Sequence, residues 1–329
     1  MGIWKYNKYF DPKVKKNYRL TLDEGNTPCK KCFKLANILN IKTIYLKRED
    51  LNPTGSFKDR SIAYQLSVHY QNNKSSFVIS STGNAAISSI SYCKLFNCYL
   101  SVFVSKKIPA DKLLRLLKAI EIENFDHSIL QKEDTQSITK DNISIYFSKK
   151  PKSDSIKYVN ENKSVHLRGS NDELATSGFK TITYELVNKI KNMDAIFIPC
   201  SSGTSTIGIY QGFFDINKSS PPIHIVQTTK VHPMASVFDK NYSKTTTSLA
   251  SAISDRVAHR KDQVVEAISR SGGSGLVIND DEILTAQSLL KQHCNIDTSF
   301  DSSLSLAGLI KAIKNESNIK RPVLILSGK

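Results

Sequence analysis

No stretch of this 329-residue chain approaches the roughly 20 apolar residues that a membrane-crossing helix requires. No internal repeat is visible, which sets aside solenoids and propellers. The first 16 residues lack an apolar core followed by a small-residue cleavage site, so no secretory leader is expected. Gly2 follows Met1, but Tyr6 stands where a myristoylation site needs Ser or Thr. Acidic residues are few beside basic ones, 30 against 46, which leaves a formal charge of +16 and a pI near 9.4. That excess is mostly lysine, with few arginines to fork phosphates or read base edges, and it is dispersed along the chain. The accompanying Asn, Ile, Ser and Tyr point to AT-biased codons, which raise lysine without any partner. Neither a nucleic-acid nor a membrane partner is expected.

The six cysteines (Cys29, Cys32, Cys93, Cys98, Cys200, Cys294) fit a reduced cytosol better than a disulfide framework when no leader is seen. Cys29 and Cys32 form a CxxC, but a structural zinc needs four ligands, and no second CxxC or HxxxH lies near. No metal is expected, and the CxxC is read as incidental.

The composition, 40% hydrophobic and 23% charged, is that of an ordinary globular protein of one or two domains. Strand-like runs (43–47, 76–80, 99–104, 195–199, 223–227, 323–326) alternate with helix-like ones (85–95, 110–120, 181–190, 281–292, 304–313). That alternation predicts an α/β fold with parallel sheets covered by helices. A polar stretch from about Asp126 to Asn162, with one strand-like run at Ile143 to Phe147, is expected to bridge two subdomains.

The most informative residues are Asn52-Pro53-Thr54-Gly55-Ser56-Phe57-Lys58-Asp59-Arg60. They lie between the strand-like Thr43 to Lys47 and the helix-like Ser61 to Val68. Lys58 therefore sits where the exit loop of a strand feeds a helix N-terminus, the usual place for chemistry in an α/β protein. There it feels the positive end of the helix dipole and the neighbouring Arg60, both of which favour a neutral, nucleophilic amine. On position alone a solvated loop lysine is the favoured reading.

With Leu46-Lys47-Arg48-Glu49-Asp50-Leu51 ahead of it, this segment resembles the threonine synthase-like branch of the fold type II pyridoxal-phosphate enzymes. The resemblance extends to Glu24-Gly25-Asn26-Thr27-Pro28, Ser80-Ser81-Thr82-Gly83-Asn84, the loop Ser201 to Ser205 and Ser271-Gly272-Gly273. Weaker matches follow at Asn279 to Glu282 and Leu306 to Leu309, so family order holds over nearly the whole chain. It implies a tryptophan synthase β-like fold: two α/β subdomains with mostly parallel sheets and a cofactor cleft between them. Mapped by motif order, the smaller would span 56–160, and the larger 1–55 plus 161–329.

The implied cofactor is pyridoxal 5'-phosphate, held by Lys58 as a Schiff base. Ser201, Ser202, Gly203, Thr204 and Ser205 would cradle its phosphate through backbone N–H groups and hydroxyls. In related enzymes the positions of Ser201 and Thr204 are often Gly. Asn84 would contact the phenolic oxygen, although an asparagine at a helix start is also a plausible N-cap. Ser81, Thr82 and Gly83 would receive the substrate carboxylate. Ser327 would hydrogen-bond the pyridine nitrogen and, being neutral, leave it largely unprotonated; a frayed C-terminal serine is the bland alternative.

For substrate, the match to threonine synthase is incomplete. A second anion site for O-phosphohomoserine would draw on an Arg where Ala175 stands, an Asn where Gly169 stands, and a hydroxyl where Ala85 stands. Ser170 is retained and Arg168 could supply a displaced guanidinium, but Asp172 and Glu173 place negative charge nearby. Near Leu306, a Glu-Pro pair is replaced by Ser299-Phe300. The resemblance implies elimination or replacement at Cβ or Cγ of a small amino acid by a cytoplasmic homodimer. A serine/threonine dehydratase or a cysteine synthase-like enzyme is the alternative. A non-catalytic relative acting in binding or regulation is a second alternative.

Overall fold

The computed structural model describes residues 2–123, 137–167, 169, 172–315 and 318–329. The chain divides into two compact units, one of residues 1–24 and 58–168, the other of 25–57 and 169–329.

The larger unit is built on a six-stranded sheet. Its strands are β1 (Cys29–Lys31), β2 (Tyr45–Arg48), β8 (Ala195–Pro199), β9 (Ile223–Thr228), β10 (Gly275–Ile278) and β11 (Pro322–Leu326). They run in the order β1-β2-β11-β8-β9-β10. Every pairing is parallel except β1 with β2. Strands β8, β10 and β11 are apolar at consecutive positions because both faces are covered, as parallel sheets require. Leu324 and Leu326 face one cluster together with Leu46 and Phe197; Val323 and Ile325 face the other together with Ile196 and Ile198. The first face is covered by α1 (Phe33–Ile38), α9 (Asp280–Cys294) and α10 (Phe300–Lys314), through Leu35, Ile283, Leu290 and Leu309. The second is covered by α6 (Leu174–Lys189), α7 (Thr204–Asp215) and α8 (Lys261–Ser271), through Phe179, Ile207 and Val264. Each such side chain contributes roughly 1.5–3 kcal/mol by leaving water.

The smaller unit has a five-stranded sheet of β3 (Ser76–Ser80), β4 (Tyr99–Ser105), β5 (Ser137–Lys140), β6 (Ile143–Ser148) and β7 (Val165–His166), ordered β5-β6-β4-β3-β7. Only β5 with β6 is antiparallel. Its helices are α2 (Lys58–Gln71), α3 (Asn84–Leu95), α4 (Ala110–Ala119) and α5 (Pro151–Asn162).

The unit boundaries differ from those the sequence suggests: the smaller unit runs over 58–168 instead of 56–160 and also takes in residues 1–24. Residues 1–24, expected in the larger subdomain, belong to the smaller unit because their aromatic residues pack on α2. Phe10 lies 4.4 Å from the Tyr64 ring, Tyr64 donates to the Pro12 carbonyl, and the Leu20 N–H is received by Ser67. The described part of 126–162 does not bridge the units. It supplies β5, β6 and α5 to the smaller one, β6 pairing with β4 from Ile143↔Leu100 to Ser148↔Ser105.

The cysteine expectation is also corrected. Cys32, at the start of α1, is joined by a disulfide to Cys294, the last residue of α9, which bridges 262 residues of chain. The two cysteines of the CxxC are not joined: Cys29 is free and half-buried. Among the described residues no cluster of ligands could hold a metal, and no helix is long and apolar enough to cross a membrane.

Glu24 is fully buried in the smaller unit. One carboxylate oxygen accepts from Thr21 Oγ1 (3.0 Å), the Leu22 N–H (3.0 Å) and Tyr92 Oη (2.6 Å), while the other has no partner. Burial pushes its pKa up to about 7, against those hydrogen bonds. A carboxyl with a raised folded pKa contributes its stability at low pH and loses it as pH rises from about 4.5 through 7. The loss attributable to this residue is about 3 kcal/mol. Glu24→Gln is therefore expected to flatten the pH dependence of the urea-unfolding free energy between pH 4.5 and 7. An unchanged slope in the variant would contradict that assignment.

Candidate functional site

In the larger unit β2, β11 and β8 are neighbours and parallel, so the loops leaving their C-terminal ends gather at one sheet edge, where ligands bind in such folds. Three sequence-predicted segments meet there.

The first is the loop from β2 to Lys58. Lys47, fully buried, places its ammonium 2.5 Å from Glu185 Oε2, 3.7 Å from Glu49 Oε1 and 2.9 Å from the Thr27 carbonyl. Glu49 in turn accepts from Thr27 Oγ1 (2.6 Å) and from Asn52 Nδ2 (2.9 Å). Asn52 Oδ1 takes the Gly25 N–H, and Glu185 Oε1 takes the Asn26 N–H. The Gly25 to Thr27 and Lys47 to Asn52 motifs are thus one hydrogen-bonded body. From it the chain turns at Gly55 and forms a bridge between Ser56 and Gly328.

The second segment is the end of β11. The Phe57 N–H, one residue before Lys58, donates to the Ser327 carbonyl at 3.0 Å, and the Lys329 N–H donates to Gly55. Ser299 and Ser302 hydroxyls, 2.7 and 2.6 Å from the Gly328 carbonyl, pin the strand end to α10. Ser327 is buried and bracketed on both sides, so it is not a frayed terminus. The Ser299 and Ser302 clamp escaped the sequence reading; the substitution at Ser299-Phe300 was its only trace there. Ser299 also caps α10.

The third is Cys200 to Gly203, between β8 and α7. Gly203 has φ +84°, and a Cβ there would meet Val264 Cγ2 at 2.3 Å, so the turn accepts only glycine without strain. The first bond within α7 runs from the Ile207 N–H to the Gly203 carbonyl. The N–H groups of Thr204, Ser205 and Thr206 accordingly have no partner among the described residues. Ser201 Oγ already accepts the N–H groups of Ser254 and Asp255, and the Thr204 hydroxyl donates to the Gly169 carbonyl at 2.8 Å. Ser202 Oγ lies 3.0 Å from Thr204 Oγ1. Ser201 and Thr204 therefore shape the turn, and Ser202 Oγ donates to Thr204 Oγ1, whose own proton goes to Gly169; three N–H groups at a helix start and the Ser205 hydroxyl remain as anion donors. That donor set fits a phosphate.

In the smaller unit, Lys58 is the first residue of α2, as expected. Ser81 to Asn84 follow β3, and the Gly83 N–H is received by Ser81 Oγ at 3.3 Å. Gly83, not Asn84, is the residue ahead of α3, and the Asn84 side chain does not cap it. Asn84 Oδ1 instead accepts from Arg115 Nη2 of α4 at 2.9 Å. Nothing stands within 4 Å of a Cβ placed on Gly83, so the loop faces open space.

Of the acidic pair, Glu173 has a cation beside it. The buried Arg260, just before α8, pairs with Glu173 at 3.2 Å and donates to the Asp172 carbonyl at 2.9 Å. Asp172 Oδ1 also receives the Leu174 N–H. Ala175 is buried within α6. Arg168 and Ser170 lie outside the described residues.

A family model described as "Pyridoxal-phosphate dependent enzyme" matches residues 20–328. The chain is 26% identical to a threonine synthase of Methanocaldococcus jannaschii, over 95% of this chain and 76% of that one. It is 25% identical to one of Halalkalibacterium halodurans, over 95% and 83%. Among solved structures, a maize serine racemase superposes with a TM-score of 0.73 at 17% identity, covering 99% of this chain and 93% of that one. A pyridoxal 5'-phosphate-dependent aspartate racemase gives 0.75 at 16%, covering 99% and 94%. At those identities the structural likeness speaks for the fold.

Gly203→Ala puts a side chain at a positive φ against Val264. The apoprotein is expected to lose about 1–3 kcal/mol in urea unfolding. Its dissociation constant for pyridoxal 5'-phosphate, read by fluorescence titration, is expected to rise roughly tenfold or more. Unchanged affinity would show that the turn holds no phosphate.

Proposed function

The chain belongs to the pyridoxal-phosphate-dependent enzyme family, and on that premise we propose that it eliminates or replaces a group at Cβ or Cγ of a small amino acid, as a threonine synthase-like lyase or synthase. The observation that carries the reading is Lys58 at the head of α2, directly after a residue whose backbone is tied to the end of β11. Its ε-amine would hold the cofactor covalently and, once substrate is bound, move the proton at the substrate Cα. Bound there, pyridoxal 5'-phosphate supplies an electron sink for the charge that this proton leaves behind. Ser202, Gly203, Ser205 and the N–H groups at the start of α7 would hold its phosphate, with Ser201 and Thr204 fixing the turn. Asn84 would donate to the ring oxygen, and Ser327 would meet the ring nitrogen. Ser81, Thr82 and Gly83 would receive the substrate carboxylate.

A second reading, a serine/threonine dehydratase or cysteine synthase-like enzyme, is favoured by Ala85 and Ala175. Neither side chain can hydrogen-bond a substrate phosphate, and the Arg260 charge is already shared with Glu173. Lys58→Ala is expected to abolish the visible cofactor absorbance and nearly all turnover; retention of both would show that Lys58 does not hold the cofactor, whereas a parent protein that binds the cofactor and turns over no amino acid would be a non-catalytic relative. A panel of O-phosphohomoserine, O-phosphoserine, O-acetylserine, serine and threonine separates the enzymes. Poor turnover of phosphohomoserine is expected, by several orders of magnitude if two or three contacts of roughly 1.5–3 kcal/mol are missing. Efficient turnover lost on Arg168→Ala would show a relocated anion site.

Assembly as a homodimer and residence in the cytoplasm are further parts of this proposal. The Cys32–Cys294 disulfide makes the second directly measurable. Protein released from cells into denaturant with an alkylating agent is expected to label at all six cysteines if it comes from a reducing compartment. Labelling that spares Cys32 and Cys294 would place it in an oxidising one.

A further inference from the structure

Arg115 reaches Asn84 across 31 residues of sequence, and the contact follows from how α4 packs. Leu113, Leu116 and Leu117 bury one stripe of that helix, which leaves Arg115 on its exposed side. An asparagine amide can be turned over in nearly the same space, offering either its oxygen or its NH2 group in a given direction. Arginine carries only donors, so the atom it meets must be Oδ1, and Nδ2 is then turned away from Arg115. Because Gly83 precedes α3 and the Asn84 side chain does not cap the helix, no competing backbone bond fixes the amide among the described residues. Among the described residues, no carboxylate pairs with Arg115.

We propose that Arg115 is a positioning residue that locks the Asn84 amide with Nδ2 free to donate to the cofactor ring oxygen. The inference rests on the reading above, in which Asn84 serves that oxygen. An unlocked amide would spend part of its time presenting Oδ1, an acceptor facing an acceptor. Removing the guanidinium should therefore weaken cofactor binding and alter the ring's absorption, but only while Asn84 is present.

The test is a double-mutant cycle on the full-length protein with Arg115→Met, Asn84→Ala and the combined variant. Two readouts are taken without substrate: the dissociation constant for pyridoxal 5'-phosphate and the visible absorption maximum of the loaded protein. Arg115→Met is expected to raise the constant about three- to tenfold and to shift the maximum. In the Asn84→Ala background it should do neither, and Arg115→Lys should recover at least half of the effect. The urea midpoint of the apoprotein should not move, since Arg115 is exposed. An Arg115→Met effect of equal size in both backgrounds, or none in either, would overturn the proposal. Lys58→Ala run alongside separates the two readings. Loss of the visible band there with no coupling between Arg115 and Asn84 removes only this inference. A retained band removes the underlying reading.

Discussion

The larger unit depends on one buried ion network. Lys47 sits between Glu49 and Glu185 with no exposure to water, and its ammonium also donates to the Thr27 carbonyl. An ammonium and two carboxylates out of water cost several kcal/mol each in lost solvation, so such a group persists only when every charge is paired and bonded. Here the satisfaction is close to complete, because backbone N–H groups of Gly25 and Asn26 and the Asn52 and Thr27 side chains take up the remaining acceptors. Replacing one partner would strand the others, which makes this a point of geometric specificity more than of net stability. Its position matters more than its strength. It fixes residues 49–52, and those begin the loop that delivers Lys58.

The rest of the sheet edge is arranged around that anchor. Because β2, β11 and β8 run parallel in adjacent positions, Ser327 and Cys200 leave their strands at the same end as Glu49. The backbone of Ser56 and Phe57 adds on to Ser327 and Gly328, so the last residue before Lys58 is held by main chain on one side and by the Asn52 turn on the other. The residues that lead to Lys58 thereby inherit the rigidity of a sheet although they form a loop.

Most of the fold was legible in the sequence because apolar runs bounded by polar turns mark buried parallel strands well. Ala195 to Pro199 and Ser76 to Ser80 fall where expected. What was missed has physical causes. α6 begins at Leu174 and not Thr181, because Thr176, Ser177 and Gly178 are weak helix formers that tertiary packing overrides. A Cβ on Gly208 of α7 would lie 2.7 Å from Phe179 Cβ, and only that close approach makes the extra turns pay. The placement of residues 1–24 rests on aromatic contacts with α2, which no local pattern reveals. The Cys32–Cys294 bond is similar, since a separation of 262 residues leaves no spacing signal.

The site divides along the same line. Residues that act through backbone geometry, such as Gly203 and the loop before Lys58, announce themselves as short motifs because the turn dictates the residue type. Residues that act by reaching in from another helix do not. Arg115 arrives at Asn84 from α4, and Arg260 arrives at Glu173 across 87 residues. Both are long, flexible cations whose identity at their own positions is unremarkable, and the sequence, in which Asp172 and Glu173 stand as bare negative charge, does not show the guanidinium that meets the Glu173 carboxylate. Motifs in register thus made the cofactor family readable, whereas charge pairs such as Arg260 with Glu173 come together only in the tertiary structure and leave no such signal.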